Sequence, residues 1–372
     1  MARHPYSELP DSSYWRRAVG GVAPEAIDPV VAGSLQIGAR TKVAAAGSCF
    51  AQHIGRYLKA AGCAYLVTET AHPVMTEAAA LALNYGVYTA RTGNIYTARQ
   101  LRQLIERAYG RLQPADDIWD EGELFLDPFR PTIQPGGFNS RRELEIDRSR
   151  HFSCVRQAFE TLDVLVFTLG LTEAWRSRVD GSVYSLCPGV SGGRFSPEAH
   201  EFVNFGVADV VDDLAAVLEA LKAVNPAAKV ILTVSPVPLA ATAEPQHVLT
   251  STVYSKSVLR VAAEMTAKAH DNVAYFPSYE IVASGMAGDY FAADRRSVTE
   301  AGVAHVMRVF AEHYLKGGAG GGAFASIVRK AAGAVGPQAR AAGLEAAFAV
   351  MCDEEALDAA AVLAGPQPPG AT

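Results

Sequence analysis

The sequence lacks the features that mark a secreted, zinc-binding or nucleic-acid-binding protein. Its five cysteines are odd in number, widely spaced and without a C-x-x-C pair, which fits neither a disulfide framework nor a zinc site. The net charge is −6 and the pI is near 5.9. We therefore expect no nucleic-acid partner and no anionic membrane surface as the main partner.

Long hydrophobic runs and cofactor motifs are missing as well. No apolar run reaches the roughly 18–20 residues that span a bilayer, and Met1–Tyr6 is not followed by an apolar signal core. There is no nucleotide-phosphate loop, no Rossmann glycine fingerprint and no cluster of metal ligands. We expect a cytoplasmic protein without a bound metal or a tightly bound cofactor, and the oligomeric state stays open.

Short apolar runs rich in β-forming residues alternate with helical patterns along the chain. The runs cover residues 42–46, 163–169, 229–234 and 272–276. Runs this uniformly apolar are typical of strands buried on both faces of a parallel sheet. Amphipathic spacing predicts helices over residues 99–109, 210–221 and 303–314. The alternation predicts an α/β fold, a three-layer αβα sandwich with a mostly parallel sheet.

Two stretches interrupt this alternation, and the chain ends in a segment of different composition. Residues 112–150, rich in Asp, Glu, Pro, Gly and Arg, are expected to form an insertion over the sheet edge, either a lid or a structural excursion. Residues 180–206 are similar. We expect one catalytic domain over residues 1–316 and a Gly-rich linker with an Ala-rich tail over 317–372, without a catalytic role. One or two helices over 325–363, and a docking or oligomerisation role, stay open.

The segment with the clearest chemical content is Gly47-Ser48-Cys49-Phe50-Ala51, directly after the first apolar run. In open parallel sheets, functional groups gather where strands end and helices begin. The glycine permits a tight turn, and the next side chains stand at a helix N-terminus. The helix dipole and free N–H groups there lower the pKa of a thiol and favour an oxyanion. The sequence predicts that the chemistry centres on this turn.

This run resembles the signature of the GSCFA-domain family, which belongs to the SGNH hydrolase superfamily. The resemblance covers roughly residues 5–315 and includes several further segments in the same order. Among them are Gly93–Thr97, Leu169–Trp175, Ser235–Val237, Tyr254–Lys256 and Tyr275–Glu280. The resemblance implies an SGNH-like, flavodoxin-like sandwich with its active site at the strand ends.

The superfamily pattern also implies roles for particular residues. Its first block is Gly-Asp-Ser with a serine nucleophile, and the matching triplet places Cys49 in the nucleophile position and Ser48 where an aspartate is usual. Its second block contributes a glycine N–H to the oxyanion hole, which implies this role for Gly93, with Asn94 beside it.

The later blocks match only in part. The third block, Gly-x-Asn-Asp, matches Gly170 in spacing but has Thr172 and Glu173 as its last two residues. The fifth block, Asp-x-x-His, matches Asp294 but has Ser297 where the histidine is expected. The oxyanion donor of the third block and the usual general base are therefore both replaced.

A general base has to come from elsewhere. His247 is the leading candidate, because it lies in the loop after the third apolar run, which should open at the catalytic edge. His53 lies one helical turn after Cys49, and His305 lies on the last predicted helix; these two are the alternatives.

Other interpretations of these residues stay open. Lys256 or Asp294 could serve a route without a histidine base, or Lys256 could be a surface charge at a helix start. Asp294 could be the N-cap of the final helix. Cys49 could be a buried thiol that closes the turn, and Glu173 could pair with a nearby arginine.

The leading functional hypothesis is acyl transfer through a thioester on Cys49. The reaction would hydrolyse an ester or pass an acyl group to a saccharide hydroxyl, with acyl-CoA as a candidate donor and a small molecule or saccharide as the substrate. A place in surface-polysaccharide assembly rests on analogy. One alternative is a non-catalytic carbohydrate-binding or scaffold protein on a decayed hydrolase fold, and another is an esterase with Ser48 as the nucleophile.

Overall fold

A four-stranded parallel sheet lies at the centre of the computed structural model, which describes residues 4–31, 35–316, 353, 354, 356 and 357. Numbered along the chain, its strands are β1 (Val43–Gly47), β4 (Val164–Leu169), β8 (Lys229–Val234) and β9 (Val273–Phe276). They lie side by side in the order β1-β4-β8-β9. The four predicted strands are confirmed, each within one residue of its predicted bounds.

Helices cover both faces of this sheet. One face carries α1 (Phe50–Ala60), α7 (Ser278–Ala283) and α8 (Glu300–Tyr314). The other carries α3 (Ala98–Ala108), α4 (Arg141–Thr161), α5 (Val207–Val224) and α6 (Val248–Ala269), and the short α2 covers Glu77–Ala82. Because strand side chains alternate, Leu165 and Phe167 pack on the second face while Val164 and Val166 pack on the first. The predicted α/β sandwich of three layers is confirmed.

Helices α4 and α6 are not among the helices that the amphipathic spacing predicts. The expected insertion over 112–150 ends at Ser140, whose hydroxyl caps α4, so residues 141–150 are helical. Helix α4 was missed because its first turns are mostly charged, with Leu144 as their one buried apolar side chain. Helix α6 begins at Val248, directly after His247, so the loop after the third apolar run ends there.

Two small antiparallel sheets lie outside the sandwich, and the sequence predicted neither. Strands β2 (Trp119–Asp120) and β3 (Phe125–Leu126) form a hairpin in the first insertion. The chain after β4 forms β5 (Glu173–Ser177), β6 (Val183–Tyr184) and β7 (His200–Asn204), with β5 in the middle. Strands of two to five residues give too little alternation to be recognised.

A buried network of charges fixes the first insertion to the loop that follows α2. The guanidinium of Arg91 ion-pairs with Asp147 at 2.7 Å, and Arg130 contacts the second oxygen of Asp147 at 2.7 Å. The backbone N–H of Arg91 donates to Glu69 at 2.7 Å. Burial opposes ionisation of Glu69, but its contacts with His151 and Arg91 and the charge of Arg130 lower its pKa to about 2. This loop is therefore held by ionic contacts from several sides.

Two properties follow from the described ranges alone. No helix in them combines the length and the apolar character that a membrane span requires. In the same ranges, no group of three or more histidine, cysteine or acidic side chains could hold a metal ion. The tail helices considered over 325–363 lie outside the described residues, apart from residues 353, 354, 356 and 357.

Candidate active site

The carboxyl ends of the four parallel strands meet at one edge of the sheet. Gly47 lies opposite Thr168, and Leu169 lies opposite Val234, so β1, β4 and β8 end level with one another. The loops that follow these strands therefore leave the sheet side by side. This edge is where the sequence predicted the site.

The turn after β1 requires glycine at its first position. Gly47 has a φ of +136°, and a Cβ there would lie 2.3 Å from the carbonyl oxygen of Thr168. The N–H of Ser48 donates to the same carbonyl at 3.1 Å. Cys49 is then the N-cap residue of α1, and it is buried. The predicted placement of a thiol at the start of a helix is what the structure has.

Ser48 is packed inside the turn. Its side chain is buried, and its hydroxyl has no hydrogen-bond partner among the described residues. A Cβ at Gly170 would lie 2.9 Å from the Cβ of Ser48 and 3.1 Å from the carbonyl oxygen of Tyr96. Ser48 therefore fits beneath a glycine of the loop after β4, and no basic group of the described ranges hydrogen-bonds to its hydroxyl.

The loop over 92–97 lies directly against this turn. Gly93, with a φ of +70°, precedes Asn94, and the N–H of Ile95 donates to the carbonyl of Gly47 at 2.8 Å. The side-chain oxygen of Asn94 accepts a hydrogen bond from Gln52 of α1 at 3.1 Å. That contact orients the side-chain amide of Asn94, so its Nδ2 group points away from Gln52.

A carboxylate from the end of the chain lies among these donors. Asp353 accepts hydrogen bonds from Asn94 Nδ2 at 2.9 Å, from the backbone N–H of Asn94 and from Thr132 Oγ1 at 2.8 Å. The N–H of Asp353 donates to the hydroxyl of Tyr96 at 3.1 Å. Burial raises the pKa of Asp353 against these hydrogen bonds, which favour the charged form. We call Asn94, Tyr96 and Thr132 the amide cradle.

A second acid lies beside the first and meets two cations. Glu354 ion-pairs with Arg296 at 2.8 Å and accepts the backbone N–H of Ala240. The ammonium group of Lys256, fully buried, donates to the carbonyl of Gly170 at 2.7 Å. Burial raises the pKa of Glu354, and the charges of Arg296 and Lys256 oppose that rise. The predicted site residue Lys256 thus holds the loop after β4 and places positive charge at the site.

Thr172 and Glu173 contact neighbouring elements. The N–H of Thr172 donates to Ser255 of α6 at 3.0 Å, and its hydroxyl donates to Asn204 of β7 at 2.7 Å. Glu173 accepts a hydrogen bond from Thr242 at 2.7 Å, and burial raises its pKa. The two arginines that follow Glu173 ion-pair with a glutamate of β7 instead. Thr172 therefore serves the packing of the loop, while Glu173 faces a cavity.

That cavity has a volume of about 280 Å³ and lies between the β5–β7 sheet and the loop over 239–243. Its lining is mostly apolar and aromatic. It includes Leu171, Trp175, Tyr184, Leu186, Phe202 and Leu239. Tyr96 belongs both to this lining and to the amide cradle, so the two features adjoin. Glu354 and Leu357 form part of the wall.

The three candidate histidines have different surroundings. His53 is buried on α1 with its ring edge against Phe50, and burial together with the charge of Arg56 lowers its pKa to about 3. His247 is exposed and caps α6, accepting the N–H of Leu249. His305 is buried, with its two ring nitrogens on Tyr290 and on the carbonyl of residue 27. Within the described ranges these contacts give none of the three a hydrogen bond to the turn.

Asp294 and Ser297 form an exposed turn of their own. The hydroxyl of Ser297 donates to Asp294 at 2.5 Å, and this contact with two backbone N–H groups lowers the pKa of Asp294. Thr299 caps α8, so the interpretation of Asp294 as that cap is wrong. Of the two arginines between Asp294 and Ser297, Arg296 contacts Glu354.

Several residues of the site were missed at the sequence level. Arg296 lies between the two fifth-block positions, and Tyr96 lies two residues after Asn94, so both were near recognised segments. Thr132 lies in the insertion, and Asp353 with Glu354 lies in a tail without a motif. Only the structure brings these three to the turn.

A family model described as the GSCFA family matches residues 42–310 of this chain. The matched range includes the turn after β1, the loop with Asn94, and residues 256 and 294–297. No curated protein and no solved structure matches the chain significantly.

Proposed function

The chain belongs to the GSCFA family, and from that premise we propose that it is an acyl-transfer enzyme that works through a thioester on Cys49. The observation that carries the proposal is the pair of Asn94 N–H groups that both donate to the carboxylate of Asp353 beside the turn. Donors of this kind suit the oxyanion of a tetrahedral intermediate. The proposal follows the pattern of the SGNH hydrolase superfamily, with a thiol in place of the serine.

The chemistry proceeds in two steps. The thiolate of Cys49 attacks the carbonyl carbon of the donor, the Asn94 donors and the N-terminus of α1 stabilise the oxyanion, and the leaving group departs as the thioester forms. Water or a saccharide hydroxyl then attacks the thioester, and the sulfur of Cys49 leaves and takes up the proton that the attacking oxygen loses. The first outcome is hydrolysis and the second is O-acyl transfer.

The surroundings of the histidines favour a thioester donor such as acyl-CoA. With a pKa of about 3, His53 is a weak base, and His247 caps a helix. A thiol leaving group departs as a thiolate and needs less help from a general acid than an alkoxide does. We propose that the apolar and aromatic cavity beside Tyr96 accommodates the acyl group or a sugar ring. The place in surface-polysaccharide assembly and the cytoplasmic location are part of this proposal.

The test is formation of the acyl-enzyme. The full chain is incubated with acetyl-CoA or p-nitrophenyl acetate, and intact mass together with peptide mapping measures acetylation of Cys49. We expect no adduct in Cys49→Ala. We expect an adduct in Ser48→Ala, because the wild-type hydroxyl of Ser48 has no hydrogen-bond partner in the described ranges that could activate it. Full labelling of Cys49→Ala would contradict the thioester, and loss of labelling only in Ser48→Ala would favour a serine esterase.

A second candidate is a non-catalytic carbohydrate-binding protein, favoured by Ser297 in the position of the usual base. It predicts oligosaccharide binding, measured by titration calorimetry, that Cys49→Ala leaves unchanged. It also predicts that neither acetyl donor labels the wild-type chain. Rapid acetylation of Cys49 in the wild-type chain by either donor would exclude this candidate.

A further inference from the structure

The C-terminal residues of the described chain make contacts that the proposed chemistry does not use. Asp353 lies in the amide cradle, where Asn94 and Thr132 donate to its carboxylate. Those donors are the groups that the proposed reaction needs for its oxyanion. While Asp353 occupies them, no substrate carbonyl can reach them.

The residues that follow Asp353 occupy two further parts of the site. Glu354 reaches the cationic side of the site, where it meets Arg296 and the charge of Lys256. Leu357 reaches the apolar side and forms part of the cavity wall. These three residues thus supply an anion to the cradle, an anion to the cations and an apolar side chain to the cavity.

We propose that Asp353, Glu354 and Leu357 form an internal ligand that closes this site, and that the molecule that displaces it is an anion with an adjoining apolar group. The site without the segment presents Asn94, Thr132, Arg296 and Lys256, which are all hydrogen-bond donors and include two cations. Such a surface selects anionic ligands. The site and the internal ligand are therefore complementary at three points, which are the carboxylates of Asp353 and Glu354 and the side chain of Leu357.

Tethering makes such a ligand effective even when its affinity is modest. Thirty-six residues lie between Lys316, which ends the described catalytic region, and Asp353, and the first of them are mostly glycine. Because this ligand belongs to the same chain, its binding is intramolecular and does not depend on the protein concentration. A free molecule that binds the same groups more tightly can displace it, which makes the closure reversible.

The experiment measures how fast iodoacetamide alkylates Cys49 in the full chain, resolved by peptide mass mapping. This reaction is independent of acyl transfer, so its result is separate from that of the proposed function. In the double variant Asp353→Asn, Glu354→Gln, we expect alkylation of Cys49 to be at least about tenfold faster than in the wild type, because charge-assisted contacts are lost. Glu264→Gln, which removes an exposed carboxylate paired on α6, is the control and should leave the rate unchanged.

Two further measurements make the result specific. Burial raises the pKa of the thiols of Cys154 and Cys187, the latter to about 11, so both should stay slow unless the variant unfolds. Thr132→Val removes the hydroxyl that donates to Asp353, and it should also accelerate alkylation of Cys49. It serves as the test if the double variant fails to fold.

A synthetic peptide of residues 350–360 with Cys352→Ser completes the design. Added in excess to the double variant, it should restore slow alkylation, and the same peptide with Asn and Gln at positions 353 and 354 should not. Equal rates of Cys49 alkylation in the wild type, the double variant and Thr132→Val would overturn the proposal. So would a peptide without effect on an accelerated variant.

Discussion

Adjacent residues of the turn after β1 are both buried, and the backbone geometry of the turn gives them different neighbours. Gly47 adopts a φ that an L side chain rarely adopts, and this conformation leads the chain from the strand into α1. Ser48 then packs beneath Gly170, while Cys49 stands at the helix start. In the proposed reaction, a thiol at that position acts without the strong base that a serine requires.

His53 should make the stability of the protein depend on pH. Burial lowers its folded pKa to about 3, whereas an unfolded chain has an ordinary histidine pKa near 6.5. The unfolded state therefore binds more protons below pH 6.5, and stability falls as the pH decreases from 6.5 toward 3. From pH 7 to pH 5 the contribution of His53 amounts to about 2 kcal/mol.

The measurement is urea unfolding of the wild type and His53→Gln at both pH values. The difference in unfolding free energy between pH 7 and pH 5 should be smaller in the variant by about that amount. His72→Gln changes an exposed histidine and serves as the control. An equal loss of stability in wild type and His53→Gln would show that His53 titrates normally in the folded state.

At the scale of elements, the loop over 92–97 is as important as the turn, and its position depends on the buried charges that precede it. Arg91 contacts Asp147 and the carbonyl groups of Leu83 and Ile133, and it is almost fully buried. Three residues later Asn94 provides the donors of the cradle. The network therefore fixes the loop over 92–97 against the insertion, and this orients the side-chain amide of Asn94.

Arg91→Met should destabilise the protein by about 3–5 kcal/mol, because it leaves a buried carboxylate with less compensation. Arg308→Met removes a more exposed pair with Glu312 and should cost less than about 1 kcal/mol. Urea unfolding at neutral pH measures both values. A cost for Arg91→Met as small as that for Arg308→Met would mean that water or another cation replaces the guanidinium.

The elements also show what the sequence can and cannot predict. Strands such as β4 and β8 were predictable because a strand buried on both faces has to be apolar at every position. The short strands β5 to β7 and the start of α4 lacked such a pattern. At the site, Cys49 and Asn94 were predictable from local motifs. The contacts of Arg296 with Glu354 join residues 58 positions apart, and no local pattern encodes them.

On the scale of the whole molecule, the parallel sheet joins two cores that would otherwise be independent. Phe167 belongs to the core under α3 to α6, and Val166 beside it belongs to the core under α1 and α8. The β5–β7 sheet is attached to the sandwich through α3, where Gln100 donates to the carbonyl of Tyr184 and Gln103 bonds the chain beside it. Loss of either core should therefore affect every layer.

We expect residues 4–316 to unfold as one cooperative unit on these grounds. Phe167→Ala should cost about 3–5 kcal/mol, and it should lower the urea midpoint equally by far-UV circular dichroism and by tryptophan fluorescence. Fluorescence reports on the small sheets, since Trp119 and Trp175 lie in β2 and β5 while Trp15 is exposed. Ile146→Ala, at an exposed position of α4, should move neither transition. A fluorescence midpoint that stays at the wild-type value while the dichroism midpoint falls would mean that the small sheets fold separately, and the cavity between them and the sandwich would then be an interface between two folding units.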